Sequence, residues 1–249
     1  MATKHTYEAR TCADVALHII TTAASNIQVL NFRSINGQKK SLSNSTYFGI
    51  NGGWFNRGAS VRTDQVINIA MNNGAAVGPD TNKDGRPEGS DNYVGSGVVA
   101  WNGSQLSCYA SVEHASEISF LSNTGTWGQG GIALWLGWSA WESQVNNQPN
   151  ASIYKDAAPG GRTALIANMS TNKVYLIITE EEVTMAEFRA AIQSYLGITD
   201  GNQANNTYQG IMLDGGSSTQ LKAKNASNVT VTKGNNSVIP QFIALKSNT

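Results

Sequence analysis

Apolar runs separated by small polar residues dominate the first third of the chain. VALHIITTA (15–23) and IQVLNFRS (27–34) are rich in β-branched residues, and STYFGIN (45–51) continues the pattern into the turn sequence NGGWFN. Such runs predict strands. Asn73-Gly74 and Asn102-Gly103 each stand between two apolar runs, which predicts two hairpins with tight turns. This part of the chain is therefore expected to be mostly β-structure.

The second half carries the clearest order of elements. RTALIAN (162–168) and KVYLIIT (173–179) predict an antiparallel hairpin, and YQGIMLD (208–214) and VIPQFIALK (238–246) predict two later strands. TMAEFRAAIQSYLG (184–197) predicts a helix, because it has a capping box at its start, apolar residues at helical spacing and a glycine at its end. Strand, helix and strand predict a right-handed crossover between parallel strands. The expected fold class is α+β, with a mixed, mostly antiparallel sheet, one βαβ crossover and few helices.

The crossover places three charged residues at one edge of the sheet. Glu180 follows the first crossover strand, Asp214 ends the second, and Arg162 begins the antiparallel strand of the hairpin. We expect them to converge, because these strand ends share an edge, and ligands bind at such edges in open α/β sheets. The DGGSS loop (214–218) could supply N–H groups to an anion. Two other interpretations stay open: a structural Arg162–Asp214 ion pair, and a solvated acidic run at 180–182.

Composition limits the class of function. The chain has 249 residues and 40% hydrophobic content, enough for one domain over 1–249 with a real core. Only 14% of residues are charged, and 17 basic residues balance 17 acidic ones. The absence of a basic stripe argues against nucleic acid as a partner, and no apolar run reaches the roughly 18 residues of a membrane span. The polar, glycine-rich composition predicts an extracellular, cell-surface or virion-associated protein, although the first ten residues lack a signal-peptide core.

Two groups of side chains each allow two interpretations. Cys12 and Cys108 could form a disulfide, or could be separate buried thiols, because the sequence does not show that they are close. Trp135, Trp138 and Trp141 recur at three-residue spacing. They could form a platform for sugar rings or simply pack into the core.

The segment DTNKDGRPEGSD (80–91) predicts a calcium loop. It has acids or amides at loop positions 1, 3, 5, 9 and 12 and a glycine at position 6, which is the spacing of oxygen ligands around Ca²⁺. We expect a structural calcium ion in an insertion at about 78–92, while a solvated Asn/Asp turn is the alternative. The expected ligands are Asp80, Asn82, Asp84, Arg86 through its carbonyl, Glu88 and Asp91.

Five segments occur in an order typical of one known family. They are GINGGWFN (49–56), GGRTALI (160–166), the helix at 184–197, IMLDGGSSTQL (211–221) and VIPQFIAL (238–245). Together they resemble the phosphodiester glycosidase family. The resemblance implies an enzyme that cleaves a sugar from a sugar-1-phosphodiester, on an α+β fold whose cleft is lined by these motifs.

The resemblance also implies roles for individual residues. Arg162 would hold the phosphodiester, and Asp214 would act as nucleophile, base or stabiliser of the sugar cation. Glu180, favoured on topology alone, would be the second carboxylate. No role is assigned to His18 or His114. The expected substrate-binding residues are Asn51, Gly52, Gly53, Thr163, Gly215, Gly216, Ser217 and Ser218.

The expected substrate is a carbohydrate phosphodiester in a bacterial cell-surface glycopolymer of the teichoic-acid type. One alternative is a carbohydrate-binding or structural module, for example in a phage tail, that has this fold without the chemistry. Another is a phosphodiesterase that cleaves the P–O bond and not the C–O bond. The sequence predicts no oligomeric state.

Overall fold

The computed structural model describes residues 4–31, 40–56, 65–66, 68–77, 96–146, 160–202 and 207–247. The predicted calcium loop at 80–91 lies outside these residues, so the calcium site stays a prediction. Within the described residues, no group of three or more His, Cys, Asp or Glu side chains could hold a metal ion. None of the helices described is both long and apolar enough to cross a membrane.

Strands dominate the described residues. The α-helices within the described residues are α1 (Trp141–Asn146) and α2 (Met185–Leu196). In chain order the strands are β1 (His5–Cys12), β2 (Val15–Ala23), β3 (Ile27–Asn31), β4 (Gly49–Asn51), β5 (Phe55–Asn56), β6 (Gln65–Val66), β7 (Ala70–Asn72), β8 (Ala75–Ala76), β9 (Ser96–Trp101), β10 (Leu106–Val112), β11 (Trp127–Ala133), β12 (Arg162–Asn168), β13 (Lys173–Thr179), β14 (Tyr208–Met212), β15 (Gln220–Lys224), β16 (Thr230–Gly234) and β17 (Gln241–Leu245).

The larger sheet contains the predicted crossover. Its order is β1-β2-β13-β12-β14-β11-β7-β8, and β9 and β10 join it through β11. Strand β12 lies between β13 and β14 and is antiparallel to both. Strands β13 and β14 are therefore parallel to each other, and α2 connects them across β12. This arrangement confirms the α+β class with mostly antiparallel strands.

The smaller sheet is assembled from distant segments, in the order β16-β15-β4-β17-β3. Side chains of both sheets, among them Ile50 and Ile243 from the smaller and Leu165 and Leu176 from the larger, share one buried cluster. The main core therefore lies between the two sheets.

Helix α2 covers the other face of the larger sheet. Ala164 and Ile166 alternate with the core-facing residues of β12 and pack with Phe188 and Ile192 of the helix, because successive strand residues point to opposite faces. The helix begins and ends as the sequence predicts. Thr184 caps it in a capping box, and Gly197 ends it with φ 69°.

The two cysteines are not bonded to each other. Cys12 and Cys108 are both free and partly buried. Burial raises the pKa of the Cys108 thiol to about 12, so the thiol stays protonated at neutral pH.

Candidate functional site

The chain passes from the larger to the smaller sheet at the edge where β12 begins and β14 ends. Arg162 pairs with Thr179, the last residue of β13. Two residues further along β12, Ala164 pairs with Met212, which places Asp214 beside the start of β12. The N–H of Leu213 donates to the carbonyl of Thr163 at 2.9 Å and continues this pairing towards Asp214. The structure therefore brings Arg162 and Asp214 to one edge, as the topology predicts.

Asn51, at the end of β4, ties the two sheets together below this edge. Its Nδ2 donates to the carbonyl of Asp214 at 2.8 Å. Its Oδ1 accepts from the Thr163 hydroxyl at 2.9 Å and from the Gln220 N–H at 3.0 Å. Asn51 and Thr163 are both fully buried. Their side chains therefore fix the backbone around Asp214 and are not presented at the surface.

Gly52 and Gly53 lie against a buried pair of glutamines. The N–H of Gly53 donates to Gln241 Oε1 at 2.9 Å, and Gln241 Nε2 donates to Gln129 Oε1 at 2.6 Å. A Cβ on Gly52 would lie only 2.7 Å from the Gln241 side chain. The two glycines therefore permit close packing. The glutamines were not predicted, because nothing in the local sequence marks them.

The loop after Asp214 forms a tight turn. Asp214 is half-buried, and its Oδ1 accepts the N–H of Gly215 at 3.0 Å. The N–H of Gly216 donates to Gly161, and that of Ser218 donates to Gly215. Most N–H groups of the loop are thus used within the fold. Ser217 is the exposed residue of the turn.

The Arg162 side chain lies beneath this loop. The residue is only 1% exposed, and its Nε donates to the carbonyl of Val183 at 3.0 Å. A Cβ built on Gly215 would lie 3.8 Å from Arg162 Cδ. The guanidinium is therefore an enclosed positive charge next to the Asp214 loop.

Glu180 turns towards β2 and β16. Its Oε1 accepts the N–H of Gly234 at 2.8 Å, and its Oε2 lies 3.1 Å from His18 Nε2 and 3.5 Å from Lys233 Nζ. Partial burial works to raise the pKa of Glu180. The Gly234 N–H, Lys233 and His18 together outweigh that effect and hold the pKa below its usual value.

His18 belongs to this cluster, although the sequence assigned it no role. Its Nδ1 lies 2.9 Å from the Tyr7 hydroxyl, and the two rings are nearly parallel. Burial, and then the charge of Lys233, lower the pKa of His18 below its ordinary value. The imidazole is therefore neutral at neutral pH, and an ionised Glu180 requires the ring proton on Nε2.

Asn235 connects the Glu180 cluster to the Asp214 loop. It follows Gly234, and its Nδ2 donates to the carbonyls of Gly160 at 3.0 Å and Gly216 at 2.9 Å. Asn235 thus bridges the loop before Arg162 and the loop after Asp214. The sequence gives no signal for this role.

Solved structures show what this fold is similar to. The chain matches the catalytic domain of zebrafish N-acetylglucosamine-1-phosphodiester alpha-N-acetylglucosaminidase, auto-inhibited by its pro-peptide, with a TM-score of 0.61 and 12% identity over 99% of this chain and 83% of that chain. A hypothetical protein from Synechocystis matches with a TM-score of 0.44 and 12% identity over 95% of this chain and 62% of that chain. No protein-family model and no curated protein sequence matches. The first match shows that this chain shares the fold of a glycosidase catalytic domain.

Proposed function

We propose that the protein is a hydrolase that releases a sugar from a glycosyl-1-phosphodiester at the edge formed by Arg162 and Asp214. The observation that carries the proposal is that the half-buried Asp214 and the enclosed Arg162 lie at one sheet edge on this fold. The zebrafish enzyme is named for an N-acetylglucosamine-1-phosphodiester. Its name and the motif resemblance support the same substrate class for this chain.

The proposed reaction breaks the bond between the sugar C1 and the phosphate oxygen. The electron pair leaves with the phosphate, and water supplies the new oxygen on C1. A phosphate group has a second pKa of about 6, so it leaves with little help from a general acid. Asp214 would act on the sugar side as nucleophile, base or stabiliser of the cation. The anionic phosphate would lie above the Asp214 loop, close to the enclosed Arg162. The positive charge of Arg162 attracts it there, because an enclosed charge is less screened by solvent than a charge in water.

Glu180 has an electrostatic part in this proposal. Its lowered pKa keeps it ionised, which makes it a poor proton donor. Its side chain is 43% exposed, and an anion at this edge would stabilise positive charge on a sugar ring. The structure places its carboxylate with His18 and Lys233, so its position is set by that cluster.

The proposed setting is a bacterial surface glycopolymer of the teichoic-acid type, outside the cytoplasm. The low charge and the content of Asn, Ser, Thr and Gly support this setting.

Two sugar-1-phosphate derivatives test the proposal: the methyl diester of N-acetylglucosamine-1-phosphate, and UDP-N-acetylglucosamine, whose sugar is joined to a diphosphate. The wild type should release the sugar from one of them. Asp214→Asn should lower turnover by roughly 10³-fold or more while ligand binding persists. Glu182→Gln, a change of an exposed neighbour of the cluster, is the matched control and should leave turnover unchanged. Binding without turnover by the wild type would instead identify a carbohydrate-binding module.

A further inference from the structure

A second site is suggested by the tryptophan loop, defined here as residues 134–138 after β11. One buried arginine on α2 holds three of its carbonyls. Arg189 Nε donates to Leu134 at 2.8 Å, and its Nη2 donates to Trp135 at 2.6 Å and to Trp138 at 3.2 Å. The buried guanidinium of Arg189 is therefore hydrogen-bonded to the backbone of this loop.

Other elements fix the rest of the loop. Gln209 of β14 both accepts the N–H of Leu136 at 3.2 Å and donates to its carbonyl at 2.9 Å. Gln193 of α2 accepts the N–H of Gly137 at 2.7 Å. Asp200 in turn holds Arg189 at 2.8 Å. Each residue of the loop is thus tied through its backbone to a side chain of a neighbouring element, so its shape is set by the fold.

This fixed loop holds two indoles in a defined pair. Trp135 has φ 50°, a left-handed conformation that bulky residues rarely adopt and that persists only where the surroundings enforce it. Its ring meets that of Trp138 edge to face, with centroids 5.0 Å apart and planes at 70°. Both side chains are partly exposed. The loop therefore presents a rigid aromatic corner.

The corner lines an open-mouthed cavity of about 120 Å³. This volume is below the roughly 300–1,000 Å³ of sites that enclose a whole small molecule, so the cavity takes one face of a ligand and leaves the rest in solvent. Its other walls include Cys108, Tyr109 and Ile211. No described residue of the lining is charged, and the thiol of Cys108 is protonated. The Nε1 of Trp135 is enclosed and has no hydrogen-bond partner among the described residues.

We propose that this cavity binds a neutral sugar ring. A pyranose has an apolar C–H face that packs on indole rings, which matches the aromatic part of this lining. The uncharged walls favour a neutral sugar over a phosphate. Ile211 lies in β14, three residues before Asp214, which is about 10 Å of extended chain. The cavity is therefore separate from the Asp214 edge and could hold another unit of a glycan.

The test is binding to the full chain, which does not depend on turnover. The chain has six tryptophans, so the indole N–H region of a ¹H–¹⁵N NMR spectrum is simple, and Trp135→Phe identifies the relevant signal. Titration with neutral tetrasaccharides of N-acetylglucosamine, glucose and galactose should shift the Trp135 signal for at least one of them.

Two variants distinguish this site from the catalytic edge. Trp138→Ala should weaken sugar binding by about tenfold or more, and Trp138→Phe should weaken it less while keeping an edge-to-face pair. Asp214→Asn should bind the sugar as the wild type does. An unmoved Trp135 signal with all three sugars would overturn the proposal. Sugar binding that is abolished by Asp214→Asn and left intact by Trp138→Ala would also overturn it. A third contradicting result would be a Trp135 signal that shifts with a largely apolar probe such as cyclohexanol and with no sugar.

Discussion

The Nε2 atom of His18 lies 3.1 Å from Glu180 Oε2, and the Tyr7 hydroxyl lies 2.9 Å from the other ring nitrogen. A carboxylate can only accept, so His18 must donate through Nε2, and Nδ1 then accepts from Tyr7. One neutral tautomer satisfies all three groups at once. The chain of contacts continues through Gly234 and Asn235 to the loop of Asp214.

The first prediction concerns the His18 tautomer. The chain has three histidines, so their ring nitrogens can be followed by ¹⁵N NMR. His18 should carry its proton on Nε2 at neutral pH, and its pKa should lie below the ordinary histidine value of about 6.5. Tyr7→Phe should remove the bond to Nδ1 and increase the other tautomer. A proton on Nδ1 in the wild type, or a pKa above 6.5, would contradict the geometry.

Stability should fall in two stages as the pH is lowered. Burial lowers the pKa of both His18 and His5. Below about pH 6.5 the two histidines therefore bind protons in the unfolded chain more readily than in the folded chain, and the free energy of unfolding falls as the pH is lowered. The pKa of Glu180 is lowered from 4.5, so its contribution is present above that value and is lost as the pH falls through the folded pKa. Melting temperatures between pH 8 and 3 measure both stages. His18→Gln should make the first stage shallower, and stability that rises from pH 7 to 5 would contradict this account.

Asn51→Ala should destabilise the fold strongly. It leaves the buried Thr163 hydroxyl and Gln220 N–H without their acceptor, at roughly 2–5 kcal/mol in total. Asn102→Ala is a matched control, because Asn102 Oδ1 likewise accepts both hydroxyl and N–H donors, from Ser104 and Gln105, but in an exposed turn. The control should lose about 1 kcal/mol or less. Urea unfolding measures both, and equal losses would show that Asn51 does not hold the sheets together.

Gly161→Ala should disturb the start of β12 next to Arg162. Gly161 has φ 100°, and an added Cβ would lie 1.9 Å from the carbonyl oxygen of Thr179. The loss of stability should reach about 3 kcal/mol. Gly103 has the same φ, but a Cβ added there would have no neighbouring atom within 4 Å. Gly103→Ala therefore isolates the cost of the backbone conformation and should lower the free energy of unfolding by about 1–2 kcal/mol. A similar loss in both variants would show that the contact with Thr179 is easily relieved.

Local signals explain which parts of the fold the sequence predicted. The hairpin of β12 and β13 has two continuous apolar runs around a short turn, and α2 carries its own caps. The smaller sheet was not predicted, because β4 pairs with β15 and β17, which lie far along the chain. Strand β15 carries two lysines among its buried residues, and β16 has no buried residue, so neither run stands out as a strand.

The candidate site was also predicted only in part from the sequence. Topology alone brought Arg162 and Asp214 to one edge, because strand order and direction determine where strand ends lie. The partners that hold this edge, among them His18, Gln241 and Asn235, come from segments that are distant in sequence. Single polar residues in such segments carry no pattern of spacing, so only the structure shows their contacts.

Hydrolysis in ¹⁸O-labelled water tests the central claim most directly. The wild type is incubated with the methyl diester of N-acetylglucosamine-1-phosphate, and both products are analysed by mass spectrometry. Cleavage of the C–O bond at the Asp214 edge predicts that the label enters the released sugar and that the methyl phosphate stays unlabelled. Label in the phosphate product would contradict the account, because the protein would then cleave the P–O bond.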